Sequence, residues 1–194
     1  MADDEGWKGY YAAQEGRGPR PLLLDVLDRF PGPGRAVDLG CGDGVESLEL
    51  LRRGWTVLAI DAEAAGIERL TAAAGPEASD RLTVRVARFE DLGELPPAEL
   101  VYAGFSLAFC ASGSFPALWR AIREAVVPGG RFAGQLFGDR DSWANPEATF
   151  VSRRQAGALL EGLDVDRFEE EERDGTSFIG PKHWHLFHVI ARRP

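Results

Sequence analysis

Cysteine is scarce in these 194 residues: there are two, Cys41 and Cys110. Two thiols make no disulfide framework, so both are expected to be free. No apolar run approaches the ~20 residues needed to cross a bilayer. Residues 1–6 are acidic where a secretory leader would be basic and then apolar, and the expected location is the cytoplasm. Basic residues are outnumbered, 22 against 31 acidic ones, for a formal net charge of -9 and a pI near 4.9. That balance argues against a standing attraction to nucleic acid or an anionic membrane, so neither is expected as a partner. There is no internal repeat and no low-complexity segment. The length suits one domain, or one domain with short extensions, with a sizeable core, and a second substrate domain is not expected.

What the chain does have is glycine in a telling place. Ala36-Val37-Asp38-Leu39-Gly40-Cys41-Gly42-Asp43-Gly44 runs from an apolar strand into three alternating glycines. Val45, Leu48 and Leu51 then resume at helical spacing. Strand, tight turn and helix in this order make a ligand loop, because glycine lets the backbone adopt dihedrals closed to other residues and lets a ligand approach the main chain. A dinucleotide site wants G-x-G-x-x-G/A. Here that third position is Val45, and the glycine falls at Gly44 instead. With Asp38 near the strand end, the pattern suits a cofactor that has an amino-acid end and no phosphate: the acid favours an ammonium group and the glycines admit a ribose.

Downstream, the apolar run 55–60 reads as a parallel strand buried on both faces and ends at Asp61. An acid there can accept both hydroxyls of an adenosine ribose, and Ala62 follows it in the same loop. An alanine-rich helix over 64–74 and an alternating edge strand over 82–86 come next. A fourth strand over 100–103 leads into Gly104-Phe105-Ser106, and a helix over 115–127 precedes Pro128-Gly129-Gly130 and a fifth strand over 131–137. Ser152 caps a helix to residue 161. Strands over 165–173 and 182–191 close the chain. Ahead of the first strand, Trp7, Tyr10 and Tyr11 share a helical face, and Pro21 opens a helix over 22–30. Residues 1–34 therefore read as a helical extension, either a core cover or a lid, and 35–194 as the ligand-binding domain.

The glycine loop with its acid, together with Val127-Pro128-Gly129-Gly130 before a strand, resembles the class I S-adenosylmethionine-dependent methyltransferases, and the stretches 105–110, 134–144 and 180–188 resemble their small tellurite-resistance type. The resemblance implies an α/β, Rossmann-like fold: a seven-stranded, mostly parallel sheet in the order 3-2-1-4-5-7-6 with helices on both faces. It implies S-adenosylmethionine as cofactor, S-adenosylhomocysteine as product, and a small-molecule acceptor. The cofactor contacts it suggests are Tyr11, Asp38, Gly40, Cys41, Gly42, Asp61, Ala62, Phe89, Glu90, Gly104 and Phe105. Arg88 stands where the family usually offers an Asp to the adenine amine, which leaves Phe89 and Glu90 to make those contacts. The Asn/Asp-Pro-Pro-Tyr/Phe run of enzymes that methylate nucleobase amines is absent after the fourth strand.

All three histidines lie between 183 and 188. In the sheet order above, the start of the seventh strand reaches the edge where ligands bind. His183 is therefore expected to border the acceptor and act as a base near neutral pH, with Asp139, Arg140 and Trp143 as substrate contacts, while His188 reads as a packed core residue. The same stretch also reads as an aromatic strand with no catalytic role. His183-x-His185 offers two metal ligands without a third, so no metal is expected. A non-catalytic cofactor-binding or scaffold protein, and more remotely a nicotinamide-dependent oxidoreductase, remain alternatives. The chain is expected to be a monomer or a homodimer.

Overall fold

The computed structural model describes residues 16–78 and 80–194. Tyr11, and with it the lid expected around Trp7 and Tyr10, lies outside the described residues. Seven strands form one sheet in the order β3-β2-β1-β4-β5-β7-β6: β1 (Arg35–Leu39), β2 (Thr56–Asp61), β3 (Leu82–Val86), β4 (Ala98–Ala103), β5 (Val126–Phe137), β6 (Asp164–Ser177) and β7 (Gly180–Arg192). Pairings among β1 to β5 are parallel, and β7 runs antiparallel to both β5 and β6. Parallel neighbours need crossovers, and the helices α1 (Pro21–Leu27), α2 (Val45–Arg52), α3 (Ala64–Ala74), α4 (Phe115–Ala125) and α5 (Arg153–Leu159) cover the two faces.

Alternation along the strands divides the core in two. Ala36, Val57, Ala59, Leu100 and Tyr102 face Leu22, Leu23 and Val26 of α1, Leu50 of α2 and Ile67 and Leu70 of α3. Val37, Leu39, Ile60, Val101 and Phe132 face Leu118, Trp119 and Ile122 of α4 and Ala156 of α5. Leu50 and Ile122 are fully buried, and truncating either to Ala costs about 2–5 kcal/mol.

Element bounds differ from the expected ones in two instructive places. Pro128-Gly129-Gly130 does not precede β5 but lies within it. The register jumps from Ala98↔Val126 to Leu100↔Arg131, so these residues bulge out, with Gly129 at φ 82 and its N–H donating to Arg193 O. The β6–β7 hairpin is also longer than expected. Its pairing continues from Arg173↔Trp184 to Ser177↔Gly180, leaving Phe178 and Ile179 as the turn. Pro181 sits at the start of β7, beyond the last β5 partner Phe137↔Leu186, where a missing N–H is tolerated.

Candidate functional site

A cavity of about 720 Å³ opens at the carboxyl edge of the parallel strands. That volume lies toward the upper part of the range for small-molecule sites, about 300–1,000 Å³. One end is walled by the loops after β1, β2 and β4, where open parallel sheets place their ligands. The other is walled by the end of β5, the loop after it, and the β6–β7 hairpin.

At the first end, Gly40, Cys41 and Gly42 form the floor. Gly40 has φ 73, and a Cβ there would stand 2.3 Å from Ser106 Cβ. Gly42 has φ 57 and Gly44 φ 85. The turn is pinned from behind, since Gly40 and Cys41 N–H both donate to Ile60 O. Asp61 lines the cavity beside it, its carboxylate accepting from Gly42 N at 2.7 Å and Glu63 N at 2.9 Å. Burial raises its pKa, opposed by these donors. Ala62, Phe89, Glu90, Gly104 and Phe105 complete this end. Glu90 accepts from Ala111 N at 2.8 Å and from Arg88 at 3.3 Å. Phe105 holds φ 58, a left-handed backbone unusual for a non-glycine residue and the kind of strain kept at functional sites.

Asp38 is absent from the cavity wall. It is 1% exposed and accepts from Ser47 Oγ at 2.7 Å. Burial, reinforced by the charge of Glu46, pushes its pKa up to about 7. Glu46 itself is clamped by Arg17 through two 2.6 Å bonds. Tyr102 OH is buried without a protein partner and lies 3.0 Å from where a Gly104 Cβ would sit. These features fit a cofactor with a polar, charged end: a glycine cradle that a Cβ would fill, a buried acid poised between protonation states, and an orphaned hydroxyl beneath the loop.

The second end is aromatic. Phe109, Phe137, Trp143, Phe178 and Trp184 line it, with Arg173, Thr176 and Ser177 from β6. Trp143 is where the sequence placed it; Asp139 and Arg140 are not. They turn to the opposite face of β7, where Arg140 bonds Glu170 at 2.8 Å and Glu172 at 2.8 and 3.0 Å. His183 also faces away from the cavity. Its ring is held by Asp174 at 2.7 Å and Glu172 at 3.1 Å, and these partners raise its pKa. The reason is alternation: Trp184 points into the cavity, so its neighbour must point out. His183 therefore does not line the cavity. The core histidine is also a different one, since His185 is fully buried, whereas His188 keeps partial exposure and bonds Glu171 at 2.8 Å.

Glu170, Glu172 and His185 come close enough to share a cation, but the Arg140 guanidinium already lies among them, bonding both glutamates 3.1 Å from His185 Nε2. Cys41 and Cys110 are free and buried. Burial holds both thiols protonated, pushing Cys110 up to about 12, and Ser106 Oγ is committed to Leu39 O. None of the three has an activating base.

Sequence reasoning missed Arg20, Arg173, Thr176, Ser177, Phe178 and Trp184, all on the cavity wall. Arg20 carried a weak signal, standing directly before Pro21 and the first helix. Arg173 and Trp184 lay in the expected strands over 165–173 and 182–191, but no local signal told which face of the sheet meets the cavity, and Thr176, Ser177 and Phe178 fell between those strands.

Residues 36–130 match the family model described as a methyltransferase domain. The chain carries a methyltransferase domain. The matched stretch holds the glycine loop, Asp61 and strands β1 to β4, and with the sheet order it gives this chain an S-adenosylmethionine-dependent methyltransferase domain. No curated protein matches it. Among solved structures, the fold of this methyltransferase resembles TehB from Haemophilus influenzae at TM-score 0.80 and 15% identity, covering 97% of this chain and 68% of that one. It resembles magnesium protoporphyrin IX methyltransferase from Synechocystis PCC 6803, solved with bound S-adenosylhomocysteine, at TM-score 0.73 and 13% identity, covering 98% and 95%. It also resembles 1,6-didemethyltoxoflavin-N1-methyltransferase from Burkholderia thailandensis at TM-score 0.66 and 15% identity, covering 96% and 84%. At these identities the likeness is one of fold.

Proposed function

We propose that this methyltransferase acts on a small molecule in the cytoplasm, binding its cofactor at the glycine-loop end of the cavity and its acceptor at the aromatic end. The observation that carries this reading is a single cavity with two chemically different ends meeting at Gly104 and Phe105. Gly40 and Gly42 give the cofactor access to the backbone, Asp61 takes the ribose hydroxyls, and Phe89 and Glu90 flank the adenine. Arg20, whose guanidinium lies 4.4 Å over the Phe105 ring, faces the cofactor carboxylate. Asp38 acts through the loop it underlies and favours the ammonium. The bound cofactor supplies an activated methyl group, so the protein's share of catalysis is to align it with the acceptor and keep water out. The strained Phe105 marks where the two molecules meet.

Two measurements test this. S-adenosylhomocysteine at a hundredfold excess over its Kd adds about 2.7 kcal/mol, worth about 5–10 °C in Tm for a chain of this size, whereas NAD and NADP leave Tm unchanged. Stabilisation by NAD alone overturns the reading. Asp61→Ala weakens S-adenosylhomocysteine binding by about 1.5–3 kcal/mol in calorimetry, the scale of bonds to a charged group. Unchanged affinity removes Asp61 from the site.

A further inference from the structure

The aromatic end of the cavity is built as a continuous wall. Phe105 meets Trp184 at 6.2 Å and Phe137 at 6.1 Å, both edge to face. Trp184 meets Trp143 at 6.0 Å, and Trp143 meets Phe178 in the hairpin turn at 6.2 Å. Such a wall runs from the methyl-facing loop to the tip of β6–β7. A flat conjugated molecule lying along it recovers stacking and edge contacts that a saturated chain of equal area does not.

Two basic side chains stand at this wall, Lys182 behind it and Arg173 on the cavity side. Lys182 Nζ lies 3.7 Å from the Trp143 ring centre and 4.6 Å from that of Trp184. It is buried and paired with Asp141, whose other oxygen accepts from His185 N at 3.2 Å. An aromatic cage for a cationic ligand needs its π faces free; here an internal ammonium already occupies them. Arg173 is the charged side chain facing the cavity at this end among the described residues. Its Nε is held by Glu171, which orients the guanidinium beside Trp184, 5.8 Å from the ring centre. The described lining residues of this end also include no His, Asp or Glu, only the hydroxyls of Thr176 and Ser177. Nothing there takes a proton from a neutral nucleophile near pH 7.

Resting on the methyltransferase reading above, we infer that the acceptor is a flat, conjugated molecule that arrives already ionised, an aromatic carboxylate, with Arg173 engaging its negative charge. The step then balances without a base. A carboxylate oxygen forms a bond to the methyl carbon as the carbon–sulfur bond of the sulfonium breaks, the bonding pair returns to sulfur, and the products are a neutral methyl ester and a neutral thioether. No proton is released.

The test uses the full chain saturated with S-adenosylhomocysteine, whose own binding is measured first. Failure at that stage sinks the methyltransferase reading; success there followed by failure below sinks only this inference. Cinnamate and 2-naphthoate are expected to bind at least tenfold tighter than their amides and than cyclohexanecarboxylate. Arg173→Gln is expected to erase the preference for acid over amide, and Arg173→Lys to restore part of it. Trp184→Leu is expected to erase the preference for the aromatic over the saturated ring. With S-adenosylmethionine, the best acid yields one methyl ester per S-adenosylhomocysteine formed. Equal affinity across the series, tighter binding of the matched aromatic amines, no acid binding at millimolar concentration, or an intact acid preference in Arg173→Gln each overturns the inference.

Discussion

The two ends of the cavity are made from different parts of the chain and by different means. The cofactor end is made of backbone: glycines at positive φ, pinned N–H groups and acids at strand ends, all within the parallel half of the sheet. The acceptor end is made of large side chains, and most of them come from the antiparallel hairpin and the loop after β5. A site made of backbone constrains sequence tightly and locally, because few residues other than glycine fit. A site made of aromatic side chains constrains it loosely, since many residues fill a wall. The difference teaches why one protein can keep its cofactor recognisable while its acceptor stays hidden.

The comparison can be broken most severely at Lys182. Its ammonium and the Asp141 carboxylate are both wholly buried, and the pair backs the two indoles of the acceptor wall. Burial alone lowers the Lys182 pKa, with Asp141 opposing that shift. Lys182→Met leaves the buried Asp141 carboxylate without its cation, held by the Trp143 and His185 N–H groups alone among the described residues, a cost of about 3–5 kcal/mol. Urea unfolding should show that loss, while S-adenosylhomocysteine still binds below the transition; loss of cofactor binding in the folded variant would mean that the two ends are not separate.

Next in size is Gly40→Ala, which strikes the cofactor end. The new Cβ would meet Ser106 Cβ at 2.3 Å with φ at 73. Strain of this kind costs about 1–3 kcal/mol, and the expected readout is a drop in S-adenosylhomocysteine affinity of about ten- to a hundredfold, or about 1.4–2.8 kcal/mol. A variant with native affinity would show that the loop is not the cradle.

Asp38 gives a pH test of the same end. Its pKa is raised in the fold, to about 7, so its contribution to stability is full below its unfolded value of about 3.9 and is lost as pH rises through 7. A bound ammonium favours the ionised form, so cofactor binding drives a proton off. S-adenosylhomocysteine affinity should therefore rise about tenfold between pH 6 and pH 8. Asp38→Asn should flatten that rise, and a profile identical to the parent's would remove Asp38 from the linkage.

The smallest expected effect belongs to His183. Its folded pKa is raised by Asp174 and Glu172, so its small contribution to stability is present below about pH 6.5 and fades as pH rises through the folded value. His183→Ala should keep cofactor affinity and turnover within about twofold, a difference below ~0.5 kcal/mol. Its stability deficit should be larger at pH 6 than at pH 9. A collapse of turnover would bring His183 back to the chemistry, through a hairpin arrangement other than the one described.

The residues themselves show where sequence was sufficient. Gly40, Gly42 and Gly44 after an apolar strand, and Asp61 at the end of the next, were legible because backbone conformation and strand-end position are local properties. The sheet order followed from the resemblance those residues carried, and the structure has it. Trp143 was placed at the cavity from the loop that bears it. Asp139 and Arg140, close by in the same loop, were not separable from it, because a loop that wraps the end of β7 sends side chains to both faces. His183 failed for a sharper reason. One residue of register decides the face of the sheet on which a side chain lies, and the expected strand over 182–191 contained His183 without saying which of its two faces meets the cavity. The sequence by itself determined the strand-turn-helix cradle and hence the cofactor, since glycine there has no substitute. Only tertiary structure decided the aromatic end. Its wall joins β4, β5 and the hairpin from residues 105 to 184, and such long-range apposition depends on the register of the antiparallel pair rather than on any local pattern.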